Sequence, residues 1–368
     1  MKDLFLFERI YIESAIREHP QTLGILERVG DKPVTIIPSL LDIDLTATTA
    51  AYLILAEKNS PFLHKCPGTP HYLCCDYFVL ESGYNCPFDC AYCFLKFYLN
   101  HRHYIHYINT DSLFQELDEQ SRRLTPGRYL RVGTGEFIDS LALDALIRFS
   151  GQVVTQISRW PNIIFEFKTK SVEIENLLSV QAPATQNVVV GFSLNPSRVI
   201  ERYEKDTPSL DERLTAARAL QNVGYLIALH FDPIIYYSDW ENDYVALVRR
   251  IFEFLKPDRI VWISLGILRF HPQLRRYWMD RKMPQSLTAG EYIQGKDGKE
   301  RLARPLREKI YRRMIRELRA VEPTLFIYLC MESRAVWRRL FVNAPQSMDE
   351  ITRGFIHRYQ TVTQSKSL

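Results

Sequence analysis

Short apolar runs alternate with longer amphipathic segments through the middle of the chain, and no other feature narrows the fold as much. The runs Ile163–Phe167, Val188–Phe192, Tyr225–Phe231 and Ile260–Leu265 are separated by segments of helical periodicity such as Leu210–Val223 and Asp243–Leu255. Upstream, a helical stretch Ser112–Arg123, a strand-like run Tyr129–Val132 and a second helical stretch Leu141–Ser150 extend the pattern. Strand and helix in alternation predict βαβ units around a parallel sheet. Parallel strands buried on both faces read as unbroken apolar runs, as these do. In such folds the functional groups stand at the carboxyl ends of the strands.

Four of those ends are polar. The Tyr129 run leads into Gly133-Thr134-Gly135-Glu136, where small residues let the backbone approach a ligand and Glu136 can accept from an ammonium. The Ile163 run ends in Lys168-Thr169-Lys170-Ser171, offering a cation for a carboxylate. The Val188 run ends in Ser193-Leu194-Asn195, with hydroxyl and amide groups for a ribose or amine, and the Tyr225 run ends in His230-Phe231-Asp232-Pro233. Singly, each reads more readily as a loop or cap residue. Four on one rim point to a binding site.

Cys86, Cys90 and Cys93 lie within Asn85–Phe94. Three thiolates on one loop can hold three irons of a cubane; a [4Fe-4S] cluster normally takes four Cys, so the triplet leaves one iron open to a small molecule. The competing reading is a zinc site completed by Cys66, Cys74 or Cys75. A disulfide framework is disfavoured, because 7 Cys in 368 residues is not a dense stapled pattern. Acidic residues at Asp3, Glu8 and Glu13 interrupt the apolar core that a signal peptide needs. No stretch is long and apolar enough to cross a bilayer. The expectation is a cytoplasmic protein with no membrane partner.

The cysteine spacing, with Tyr92 before the last cysteine, resembles the cluster loop of the radical S-adenosylmethionine enzymes. Further stretches narrow the resemblance to the spore photoproduct lyase family: Gly133–Asp139, Thr169-Lys170, Phe192–Asn195, Arg198–Arg213 with its Tyr203–Thr207 turn, Asp232–Ile234 with Trp240-Glu241 and Tyr244, and Tyr328–Glu332 with Val336-Trp337. The similarity spans about residues 60 to 340. It implies an α/β fold built on a partial (β/α)6 TIM-like barrel of the radical SAM type over residues 76–268. An N-terminal extension (1–75) would pack on the barrel, and a basic C-terminal lobe (269–368) would complete a lesion-binding cleft. It also implies a [4Fe-4S] cluster on Cys86, Cys90 and Cys93, with S-adenosylmethionine held by Tyr92, Gly135, Glu136, Lys170, Ser193 and Asn195. Reductive cleavage of that cofactor would yield a 5'-deoxyadenosyl radical for thymine dimer repair. The partners would be DNA or another nucleic acid and an external electron donor such as flavodoxin or ferredoxin.

Two departures stand beside these matches. The cysteine that returns a hydrogen atom in the family aligns with Gly133, and a tyrosine of the same relay aligns with Phe94. The cofactor half of the mechanism therefore transfers and the termination half does not. Cys66, Cys74, Cys75 and Cys330 are the candidate replacements, and Gly133→Cys is expected to restore the donor if the side chain fits. Two rivals follow. One is the same radical applied to a small molecule or another nucleic-acid modification, and the other is a non-catalytic nucleic-acid-binding protein with a structural cluster or zinc.

Net charge is +4, yet residues 301–368 hold 14 Lys and Arg against 6 Asp and Glu. Within Pro305–Arg319, Leu306, Ile310, Met314 and Leu318 should face the core and Lys309, Arg312, Arg313, Arg316 and Arg319 the other side. Arg269, Arg275 and Arg276, interleaved with Phe270, His271, Tyr277 and Trp278, form a second basic and aromatic segment suited to phosphates and stacked bases. Both also read as solvated surface. Gly295–Lys299 is expected to tip a hairpin able to probe a duplex, Val34–Pro38 to be a strand against the barrel, and Thr361–Leu368 to be a frayed tail. There is no internal repeat, Walker motif or zincin motif.

Overall fold

The computed structural model describes residues 7–364 except 48–49, 67, 70, 181–185, 281–286 and 288–289. Its main sheet runs Phe78–Leu80, Leu130–Thr134, Ile163–Thr169, Val188–Ser193, Leu226–Ile234, Ile260–Ile267 and Ile327–Leu329 in spatial order, all parallel. Leu63–Lys65 adds an antiparallel strand beside Phe78–Leu80. Helices between the strands cover the outer face. Leu210–Asn222 begins with a capping box in which Ser209 and Glu212 bond each other's backbone N–H, which fixes where that helix starts. The helix expected over Leu141–Ser150 is two, Asp144–Ile147 and Phe149–Ile157, because Arg148 turns left-handed at φ 58°.

Side chains crossing the concave face show how far this sheet curls. Trp262 Nε1 donates to Glu166 Oε1 at 3.0 Å although two strands stand between theirs. The Arg131 guanidinium lies 4.6 Å from the Trp262 ring, four strand steps away, which a flat sheet would set about 19 Å apart. The curled sheet is the expected partial barrel. Its lower end is closed by the helix Met348–Gln364. Phe355 meets Trp262 at 5.3 Å between ring centroids, and Arg358 donates to the Ile260 and Pro257 carbonyls at 3.1 and 3.0 Å.

Pairing crosses both expected domain boundaries. Ile327–Leu329 and the closing helix belong to the barrel, so residue 268 is not where it ends. Leu63–Lys65 pairs with the barrel from before residue 76, while Gly83–Tyr84 and Tyr104–Tyr107 leave it for a second sheet. That sheet is ordered Val34–Ile37, Arg9–Glu13, Tyr52–Ala56, Tyr104–Tyr107, Gly83–Tyr84. Val34–Ile37 is its outer edge, with Val34 and Ile36 more than 40% exposed, so it does not lie against the barrel as expected. The polar tail is helical to Gln364, and residues 365–368 lie outside the described ones.

Candidate active site

Two short strands pin the cysteine loop. Asp89–Cys90 pairs antiparallel with Glu204–Lys205, and the Ala91 N–H donates to the Tyr203 carbonyl at 2.7 Å. From above, Trp278 Nε1 donates to the Ala91 carbonyl at 2.7 Å. Trp278 and Phe270 are buried with Ala91, Tyr203 and Leu274 in a small apolar cluster. This corrects the expectation that the segment from Arg269 to Trp278 stacks bases: its large rings roof the cysteine loop, and Arg275 is paired with Glu300. Burial pushes the thiols of Cys86, Cys90 and Cys93 above their usual pKa, so thiolates here call for a cationic partner. Among the described residues no three His, Cys, Asp or Glu converge on a point for one ion. A lone zinc needs such convergence, whereas a cluster takes each thiolate on a separate iron.

Glu204, which the sequence reading passed over as part of a turn, is the hub behind that loop. It accepts from Tyr92 Oη through a short hydrogen bond and from Asn195 Nδ2 at 2.8 Å, and pairs with Arg213 at 2.7 Å. Arg213, fully buried, also donates to the Ser193 carbonyl at 2.9 Å and Thr207 Oγ1 at 2.7 Å. Burial alone would raise the Glu204 pKa, but Lys170, Arg213, Tyr92 and Asn195 together hold it below the ordinary carboxylate value. Asn195 Oδ1 accepts from Tyr244 Oη at 2.7 Å. Both ends of the Asn195 amide thus have protein partners, so the residue braces Glu204 where a free ligand for the cofactor was expected.

The rim opposite is less committed. Asp139 accepts from Thr169 Oγ1 at 2.6 Å and from the N–H groups of Lys170, Leu141 and Ala142 at 2.7, 3.1 and 3.0 Å, tying two strand ends together. Gly135 sits at φ 102°, and a Cβ there would be 2.8 Å from the Lys168 backbone oxygen. Lys170 Nζ lies 5.8 Å from the Tyr92 ring centroid. Among the described residues, neither the Lys170 ammonium nor the Glu136 carboxylate has a hydrogen bond or ion pair. Opposite charges free of hydrogen bonds and ion pairs among the described residues, one of them over the Tyr92 ring, fit the carboxylate and ammonium of an amino-acid ligand.

Below the rim the lumen is polar, because glycines leave room. Glu166 and His230 meet at 2.7 Å across Gly191, whose Cβ would lie 2.7 Å from both. Asp232 and Arg269 form two hydrogen bonds, at 3.1 and 3.3 Å, beside Gly266. Cys330 also reaches the lumen, its Sγ 3.4 Å from Arg269 Nη2. Gly133 cannot take the cysteine that was expected to restore a donor. A Cβ there would lie 2.2 Å from both the Glu166 carbonyl oxygen and Tyr77 Oη. The expected hairpin is present, Tyr292–Gln294 with Glu300–Leu302, but Arg301 folds inward onto Asp297.

A family profile described as spore photoproduct lyase matches residues 76–286, more than half of the chain. The chain belongs to the spore photoproduct lyase family. It is 29% identical over 264 residues to spore photoproduct lyase of Clostridium acetobutylicum, covering 67% of this chain and 74% of the relative. To that of Bacillus subtilis it is 22% identical over 270 residues, covering 70% and 76%. The fold matches a solved spore photoproduct lyase complexed with dinucleoside spore photoproduct at TM-score 0.76 and 19% identity, covering 88% of this chain and 99% of the other. Membership makes the protein a radical S-adenosylmethionine enzyme, and a solved spore photoproduct lyase of the same fold holds bound AdoMet. No helix among the described residues is long and apolar enough to cross a membrane.

Proposed function

We propose that this enzyme is a spore photoproduct lyase-like lyase acting on a thymine dimer lesion in DNA, with its cluster on Cys86, Cys90 and Cys93. The observation that carries the reading is the pairing of a pinned thiol loop with a Lys170 ammonium and a Glu136 carboxylate that have no hydrogen bond or ion pair among the described residues. In this reading Lys170 takes the methionyl carboxylate and Glu136 the ammonium, Gly135 lets backbone approach, and Ser193, at the carboxyl end of its strand, completes the pocket. Bound there, cluster and S-adenosylmethionine supply a carbon radical able to take a hydrogen atom from an unactivated carbon. Glu204, Asn195, Tyr244 and Arg213 hold Tyr92 and the loop in place. The apolar cover from Phe270, Leu274 and Trp278 shields the loop from water. An external donor such as flavodoxin or ferredoxin delivers the electron, and 7 free cysteines suit the cytoplasm.

Anaerobically reconstituted protein with dithionite tests this. It should bind one cluster, lose it in Cys86→Ala, Cys90→Ala and Cys93→Ala, form 5'-deoxyadenosine and methionine, and consume a spore-type thymine dimer. Zinc at one per chain without sulfide would reject the cluster. Cleavage of S-adenosylmethionine with an untouched dimer would instead favour the second reading, the same radical on another substrate, which the blocked position at Gly133 and the charged lumen support.

A further inference from the structure

His230 is 3% exposed, and its Nδ1 has no hydrogen-bond partner among the described residues. Its other nitrogen, Nε2, lies 2.7 Å from Glu166 Oε1, and that same oxygen accepts from Trp262 Nε1 at 3.0 Å. Glu166 Oε2 stands 3.8 Å from Arg131. Burial works against a charged Glu166, but His230, Arg131 and Trp262 outweigh it and keep the carboxylate ionised. An ionised carboxylate only accepts, so Nε2 must carry the imidazole proton. Burial disfavours a second proton on His230. The result is a neutral ring whose buried Nδ1 lone pair is unsatisfied among the described residues, an arrangement that is costly until a donor meets it.

A donor whose charge His230 feels shares the lumen with this acceptor. Lys168 lies on the same strand face as Glu166, two residues nearer the rim. Its ammonium has no hydrogen bond or ion pair among the described residues. Burial would lower its pKa, but Asp232, Cys330 and the carboxylates of Glu136 and Glu166 raise it, so it stays charged. Gly191 is what admits His230 beside Glu166, and Gly266 admits Asp232, whose charge acts on Lys168: a Cβ at Gly266 would stand 2.6 Å from Asp232 Oδ1.

We infer that the lumen reads the imide edge of a pyrimidine ring, with His230 Nδ1 accepting from the ring N–H and Lys168 Nζ donating to a carbonyl next to it. The pattern of acceptor beside donor is the complement of N–H beside C=O. A phosphate would set oxygen lone pairs against that of Nδ1. A methyl group would leave both His230 and Lys168 without partners. The assignment rests on the thymine-lesion reading above and names the residues that select the base within it. His230 and Lys168 are specificity-determining here, and Glu166 positions His230 by fixing its tautomer.

The test is anaerobic calorimetry on holoenzyme with oxidised cluster and S-adenosylmethionine, using the dinucleoside thymine dimer and its two singly N3-methylated forms. In the wild type, methylation of one of the two rings should weaken binding about tenfold or more, and of the other little. His230→Phe should bind the unmethylated dimer about tenfold more weakly and lose the discrimination. In 15N-histidine spectra of the wild type, the Nδ1 resonance of His230 should move on binding and stay still with the excluded methyl isomer. Should His230→Phe fail to fold, these spectra decide alone. Equal affinity for all three dimers, retained discrimination in His230→Phe, or an unmoved Nδ1, as a buried water alone would give, overturns the inference and leaves the lesion reading standing. Binding of S-adenosylmethionine without binding of any dimer overturns both.

Discussion

At the scale of single residues, what each polar group already touches separates ligands from supports. Among the described residues the Lys170 ammonium and the Glu136 carboxylate have no hydrogen bond or ion pair, so Lys170→Ala and Glu136→Ala should weaken S-adenosylmethionine binding by about one to two decades, the worth of a hydrogen bond to a charged group. Cluster content should be unchanged, and calorimetry showing unaltered affinity in both would reject the assignment. Asn195→Ala should instead disturb the Tyr92–Glu204 brace. Gly133 makes the opposite point. A side chain there meets main chain, which cannot swing away, so Gly133→Cys should lose about 1–3 kcal/mol in urea denaturation and gain no activity as a hydrogen donor. A Gly133→Cys protein as stable as the wild type would show that the neighbouring strand yields.

Strands and helices were legible where burial on both faces made them apolar, and less so where their own residues broke the pattern. Ile163–Thr169 reads in sequence as an apolar run to Phe167, yet Glu166 and Lys168 alternate along it and face the lumen, with Lys170 following at the rim. That period of two was visible in the sequence. What was not visible is that Gly191, on the next strand, makes the space that Glu166 and His230 share. Glu204 escaped because its strand is two residues long and its partner lies 114 positions earlier, at Cys90. The Glu166–His230 pair has a measurable consequence. Both pKa values are lower in the folded chain, so the unfolded chain takes up protons first as pH falls. Stability should decline on acidification from about pH 6.5 through the imidazole, and further from about pH 4.5 through the carboxylate. The urea midpoint of His230→Phe should change less than that of the wild type between pH 7 and 5, values set about the histidine range. Parallel curves would place the acid sensitivity elsewhere.

Across the whole molecule, the basic surplus of the last 68 residues resolves into buried, paired and exposed charge. Arg307 and Arg358 are buried structural cations, and Arg313 is paired with Glu241 and Glu317. Lys309, Arg312, Arg316 and Arg319 remain exposed along Arg304–Val321. If that face meets DNA, replacing Lys309, Arg312 and Arg319 by Gln should reduce the slope of log affinity against log salt by roughly 0.9 per lost contact. An unchanged slope would mean the helix face is merely solvated. The closing helix carries a different consequence, one of timing. During synthesis every barrel strand leaves the ribosome before Met348–Gln364 does, so Arg131 and Trp262 must wait for Phe355 with the bottom of the lumen open to water. Until that helix docks, the nascent barrel is a tube open at both ends, and the buried charges within it remain hydrated.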